Sequence, residues 1–195
     1  MSRNTLLTIV SLITILCRCG DLALAQEPID YFAPRDQATA RAIKVVEEHH
    51  ITTASSLRKS IYELIGEGHY NQALNEVNFV LKYVPNHPVA LQIAGSISRL
   101  TKKFSIAVSY YEKALRLYPQ HAKTHAQYGQ FLLQIDQLDN AIERLKRAVE
   151  IDPNLAAGYA LLANAYGKKG NTDLAREAAE KARELGFKEQ LPAGQ

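Results

Sequence analysis

Residues 122–155 read AKTHAQYGQFLLQIDQLDNAIERLKRAVEIDPNL. Numbered from Ala122 as position 1, this unit has His125, Tyr128, Gly129 and Leu132 at positions 4, 7, 8 and 11. Ala141, Leu145, Ala148 and Ile151 then stand at positions 20, 24, 27 and 30. Steps of three and four place each set on one face of an α-helix. Pro153 ends the second helix, because proline lacks an N–H and disfavours helix in the residue before it. The stretch therefore reads as helix, turn, helix, stop.

Both flanks repeat the pattern. Alanine recurs at Ala73, Ala107, Ala141 and Ala175, each 34 residues after the last. Proline recurs at Pro85, Pro119 and Pro153 with the same period. Two columns sharing one period, with no insertion between units, identify an internal repeat. The units are 54–87, 88–121, 122–155 and 156–189. Position 24 is Val77, Tyr111, Leu145 and Ala179; position 27 is Val80, Ala114, Ala148 and Ala182. Position 30 is Tyr83, Leu117, Ile151 and Leu185, and position 4 is Leu57, Leu91, His125 and Tyr159. Gly68 and Gly170 mark the turn at position 15. Gly95, Gly129 and Ala163 at position 8 are small enough for close approach of the paired helices, facing the alanine at position 20.

These marks resemble the tetratricopeptide repeat, whose pattern is a large–small–aromatic run followed by Ala, aromatic, Ala and Pro. The match is clearest in residues 122–155; in 156–189 Phe187 replaces the proline. The resemblance implies an all-α fold: a right-handed superhelix, or α-solenoid, of four 34-residue helix–turn–helix repeats. Its first helices would line a concave face, with side chains at positions 2, 5, 9, 12 and 13 pointing into it. Those positions hold Ser55, Arg58, Tyr62, Ile65, Val89, Gln92, Ser96, Arg99 and Leu100 in the first two repeats. The last two give Lys123, Ala126, Gln130, Leu133, Gln134, Ala157, Ala160, Asn164, Gly167 and Lys168.

Arg58, Tyr62, Gln92, Ser96, Arg99, Lys123, Gln130, Asn164 and Lys168 are accordingly the candidate partner-binding residues. The set of positions carries four basic residues and no acidic one, so the expected ligand is a protein or peptide with acidic side chains or a free carboxylate. A family variant grips a terminal carboxylate with Lys and Asn at positions 5 and 9 of its first repeat and Asn at position 9 of its second. Arg58, Tyr62 and Ser96 depart from that pattern, and that clamp is not expected.

The ends complete the reading. Asp36 to His50, after Pro34, reads as a further helix within a segment 26–53; Thr39, Ile43 and Val46 fall at positions 20, 24 and 27 of the repeat frame, as in a capping half repeat. Leu174 to Leu185 carries its alanines inward and its charges outward, and Gly186 is a helix stop. Residues 190–195 read as a tail; with only Phe187 to Gln195 after the last helix, a solvating helix is expected to be absent or very short. Residues 1–25 read as a secretory signal: Arg3, a 13-residue apolar run from Thr5 to Cys17, then Ala23-Leu24-Ala25. A membrane span needs roughly 20 apolar residues, so an uncleaved anchor is the weaker reading. Leu16 and Arg18, beside Cys17 and Cys19, disfavour a lipidated cysteine. The expected location is exported, periplasmic or secreted, with no stable membrane span after cleavage. Both cysteines lie in the leader, which leaves none in the mature chain for a disulfide or a thiolate metal site.

Composition narrows the function further. Hydrophobic residues at 47% and charged residues at 22% describe a foldable globular chain. A net charge of +3 does not argue for nucleic acid. No G-x-S-x-G, glycine-rich phosphate loop or H-E-x-x-H occurs, so no catalytic residue is assigned and no enzyme is expected. His121 with His125, and His49 with His50, are the only histidine pairs, short of the three or four ligands zinc takes. Neither metal nor cofactor is expected. The reading is a non-catalytic protein–protein interaction scaffold. Its alternatives are a structural subunit of a cell-envelope assembly or secretion complex and, more weakly, an enzyme accessory subunit.

Overall fold

The computed structural model describes residues 27–52 and 60–188. The signal stretch 1–25, Ser55, Leu57, Arg58 and the tail 190–195 lie outside the described residues. Within them the chain is α-helical throughout, without a strand. It divides into two units, Met1–Pro85 and Asn86–Gln195.

In the first unit, α1 (Gln37–Glu47) is followed by a π-helical turn at Glu48–Thr52, then α2 (Ile61–Gly66) and α3 (Tyr70–Tyr83). Local chemistry starts these helices. Asp36 caps α1 by accepting from the Thr39 N–H at 2.7 Å, while Thr39 Oγ1 accepts from the Asp36 N–H. Ser60 and Glu63 make the same reciprocal pair at α2. Ile43, Ile51, Ile61 and Leu64 are buried together with Ala73, Val77 and Val80 of α3. His50, at the π turn, meets Glu76 Oε2 at 2.7 Å and stacks on Phe79 with centroids 4.0 Å apart. That histidine is thus part of the packing, held by a carboxylate and a ring.

The second unit contains α4 (Pro88–Leu100), α5 (Ser105–Leu117), α6 (Ala122–Gln134), α7 (Leu138–Ile151), α8 (Ala156–Lys168) and α9 (Thr172–Glu184). They form an α-solenoid of three helix pairs: α4/α5, α6/α7 and α8/α9 pack within pairs, and α5 packs on α6 and α7 on α8 between them. The first helices also touch in sequence, α4 on α6 and α6 on α8, which makes one layer of first helices. The columns at positions 24 and 27 are buried throughout both units, from Val77 and Val80 to Ala179 and Ala182. Position 20 is fully buried at Ala73, Ala107 and Ala141 and half-buried at Ala175, in the last pair.

The helix stops are where proline and glycine put them. α3, α5 and α7 each end two residues before Pro85, Pro119 and Pro153. Gly186, at φ 84°, terminates α9, and the Phe187 N–H reaches back to the Ala182 carbonyl at 2.9 Å. Position 15 is left-handed in every pair: Gly68 and Gly170 at φ 78° and 81°, and also Lys102 at 55° and Asp136 at 62°. Only the two glycines announced this in the sequence. The turn geometry is shared, and residues with a Cβ adopt it in two of the four units.

Two expectations change on packing and one holds. Position 30 is not core at Leu117, which is 41% exposed, because it falls in the last turn of its helix. A Cβ on Gly95 would meet Phe131 of α6 at 3.1 Å, so this glycine makes room for the neighbouring first helix and not for Ala107. A Cβ on Gly129 would meet Leu145 at 2.5 Å and the Ala141 carbonyl at 3.3 Å, which is the within-pair approach expected of position 8.

Candidate functional site

The layer of first helices in the second unit carries a small hollow of about 60 Å³. α4 supplies Gln92, Ser96 and Arg99, one turn apart along the helix, and α6 supplies Gln127, Gln130 and Gln134 with the same spacing. Gly95, Tyr111 and Phe131 close its apolar side. Gly95 matters here: without a Cβ it lets the Phe131 ring approach α4 and brings the two polar rows side by side.

The electrostatics follow from the lining. No carboxylate borders the hollow, and Arg99 is its only charge. Ser96 Oγ spends its proton on the Gln92 carbonyl at 3.1 Å. Gln127 Nε2 donates to the Pro88 carbonyl at 3.3 Å, in the first turn of α4, which leaves its buried Oε1 without a partner. A buried acceptor with no donor is costly. Behind the hollow, Tyr111 stacks on Tyr128 (5.0 Å between centroids, 9° between planes) and on Phe131 (5.8 Å). Burial pushes the Tyr111 hydroxyl well above its usual pKa, so it stays protonated.

The structure brings four of the sequence candidates together: Gln92, Ser96, Arg99 and Gln130. Lys123, Asn164 and Lys168 lie outside this hollow; Lys123 and Lys168 are exposed and Asn164 is half-buried. Tyr62, in the other unit, is 58% exposed. Three of the positions expected on the concave face are buried instead: Ala126, Leu133 and Ala160. Small or apolar side chains there pack between neighbouring first helices. Gln127, Tyr111 and Phe131 were not singled out from the sequence. Tyr111 belongs to a second helix and carried only a core signal, and Gln127 sits at position 6, off the expected groove frame.

The histidines serve the backbone. The Ala90 N–H donates to His87 Nδ1 and the Thr124 N–H to His121 Nδ1, each at 3.2 Å, so these histidines at position 34 cap α4 and α6. His125 Nε2–H donates to the Pro119 carbonyl at 3.0 Å, and its buried Nδ1 has no partner. Burial lowers the His125 pKa; the bond to Pro119 opposes this, and the cations Arg144 and Arg147 add to it. Among the described residues no three of His, Cys, Asp and Glu gather as a metal-holding group. No described helix is long and apolar enough to cross a membrane.

Comparison with known proteins agrees with this architecture. Tetratricopeptide-repeat models match residues 89–121, 110–143 and 156–185, and a model described as TPR repeat matches 129–170. Hsc70-interacting protein 1 of Drosophila melanogaster is 34% identical over 89 residues, which are 46% of this chain and 24% of the fly protein. The STIP1 homolog of Dictyostelium discoideum is 30% identical over 94 residues, 48% of this chain and 16% of that protein. The chain thus matches a quarter or less of either relative. Among solved structures, MamA 41-end from Desulfovibrio magneticus RS-1 superposes with a TM-score of 0.50 at 22% identity, covering 91% of this chain and 93% of that one. Another MamA crystal structure gives 0.51 at 23% identity, over 75% and 86%. These likenesses concern the fold.

Proposed function

From a chain whose residues 89–185 are tetratricopeptide repeats, we propose a non-catalytic protein-interaction scaffold that holds an extended polypeptide segment against α4 and α6. The carrying observation is the hollow itself: carboxamides from both helices, one guanidinium, no carboxylate and an unpartnered buried Gln127 Oε1. Carboxamides both donate and accept, as a peptide main chain does. They suit a ligand recognised along its backbone, with Arg99 favouring an acidic side chain or a terminal carboxylate nearby. Packed helices hold these groups in place before binding, so little ordering entropy is lost. The fly relative, Hsc70-interacting protein 1, is by its name a partner-binding protein, which fits this role. The leader-like residues 1–25 support export to the periplasm or the outside; cell fractionation and N-terminal sequencing of the mature chain test that.

The binding reading is tested on a peptide array probed with the full chain and with Arg99→Glu and Gln130→Ala variants. Sequence-tolerant binding that favours Asp/Glu-rich or free-carboxylate peptides, reversed in charge preference by Arg99→Glu, supports it. Binding indifferent to both substitutions removes the hollow from the mechanism.

A further inference from the structure

On the side of the second helices, two grooves recur one repeat apart. The first, of about 670 Å³, lies between α5 and α7 over the start of α6; the second, of about 500 Å³, lies between α7 and α9 over α8. Seven repeat positions line both, one of them Leu115 in the first and Val149 in the second. Where the first has His125, Arg144, Lys146 and Arg147, the second has Tyr159, Ala178, Glu180 and Lys181; Glu143 and Glu150 have their counterparts in Glu177 and Glu184. The same architecture thus presents two different chemistries.

The two grooves differ at position 23. Beside the first groove the Arg144 guanidinium lies 5.5 Å from the centre of the Tyr128 ring. In the second, Ala178 stands in its place, and Leu162, the counterpart of Tyr128, is buried. Tyr159 and Tyr166 line the second groove half-buried, and Leu174 at the rim is 44% exposed. With Ala178 for Arg144 and Glu180 for Lys146, a wall balanced between Asp139, Glu143, Glu150 and Arg144, Lys146, Arg147 becomes net acidic. Four carboxylates, Glu150, Glu177, Glu180 and Glu184, now face two lysines. One of those lysines, Lys181, is already paired with Glu184 at 3.0 Å, and neither Glu177 nor Glu180 has an ion-pair partner among the described residues.

We propose that the α7–α8–α9 groove is a second docking site, distinct from the hollow of the first helices, for a partner segment bearing apolar side chains beside lysines or arginines. The apolar floor would take the anchoring side chains and the acidic wall the cations. A volume near 500 Å³ is of the size that specific ligand pockets have. The first groove has no such acidic excess, because Arg144, Lys146 and Arg147 balance Asp139, Glu143 and Glu150 in its lining.

The test is fluorescence anisotropy with the full chain and two labelled amphipathic peptides, both with leucines at helical spacing, one with lysines between them and one with glutamates. The chain is net positive, so general charge attraction does not favour the lysine peptide. Any glutamate peptide taken by the Arg99 hollow should be indifferent to substitutions in this groove, while the lysine peptide is expected to bind in a way that depends on it. Ala178→Arg, which restores the residue of the preceding repeat, and Leu174→Asp, at an exposed site, should each weaken binding roughly tenfold or more, with helical circular dichroism unchanged. Failure of the lysine peptide to bind, or variants that keep their helicity and bind it like the native chain, overturns the proposal. So does self-association abolished by Leu174→Asp, since the occupant would then be a second copy of this chain.

Discussion

Tyr111 of α5 and Tyr128 of α6 lie face to face, 5.0 Å between centroids and 9° from parallel, joining one repeat to the next. Both are at least 95% buried, and Phe131 extends the stack. Such a contact holds the solenoid together between units, where stability depends on nearest-neighbour interfaces. Tyr111→Leu, which installs the residue of the following repeat at this position, should cost about 1–3 kcal/mol of unfolding free energy. Urea denaturation followed by circular dichroism measures it; a loss within error of zero would show that the stack contributes little.

The shared left-handed turn gives a paired test. Lys102 and Asp136 hold positive φ with a Cβ, where Gly68 and Gly170 hold it without one. A side chain there costs about 1–2 kcal/mol, partly offset in a glycine by the entropy of the unfolded chain. Lys102→Gly should therefore stabilise by about 0.5 kcal/mol, while Gly170→Ala should destabilise by about 1 kcal/mol. Thermal melts of the two variants must move in opposite directions.

Two helical glycines should also part company. A Cβ at Gly129 would lie 2.5 Å from Leu145 Cγ and 3.3 Å from the Ala141 backbone carbonyl, so Gly129→Ala overpacks the pair and should cost about 1–3 kcal/mol. Gly167, in the last turns of α8, has nothing within 4 Å of that place. Gly167→Ala should stabilise by about 0.5–1 kcal/mol through helix propensity. The same denaturant titration reads both signs.

His125 predicts a pH dependence. Burial holds its pKa below the ordinary 6.5 and so favours the neutral imidazole in the fold. Unfolding restores the higher value, so the unfolded chain takes up the proton first as pH falls. Stability from this site is full above 6.5 and is lost as the pH drops through the folded-state value, by at most about 1.4 kcal/mol per pH unit. His125→Leu, which places here the residue found at Leu91, should flatten the stability profile between about pH 7 and 5 relative to the native chain. Parallel slopes for the two proteins would assign the dependence to other groups.

The helical spacing within 122–155, the recurrence of Ala and Pro at 34 residues and the glycine stop at Gly186 were all written in the order of the residues. They are legible because helix phase, helix termination and repeat period are local properties: each depends on side chains a few positions apart, or on one backbone dihedral. The candidate site was legible only in its outline. Gln92, Ser96, Arg99 and Gln130 follow from the repeat frame, but the partners that make a hollow of them, Gln127, Tyr111 and Phe131, come from a different turn or a different helix. Whether position 5 is open or buried changes from Gln92 to Ala126 with the close approach of neighbouring helices, which no periodicity states. The exchange of Arg144 for Ala178 is plain in the aligned repeats, yet its consequence is not. Only the packed helices place the guanidinium over Tyr128 and Leu174 at the rim of the next groove, because that depends on how each helix is rotated about its axis against two neighbours.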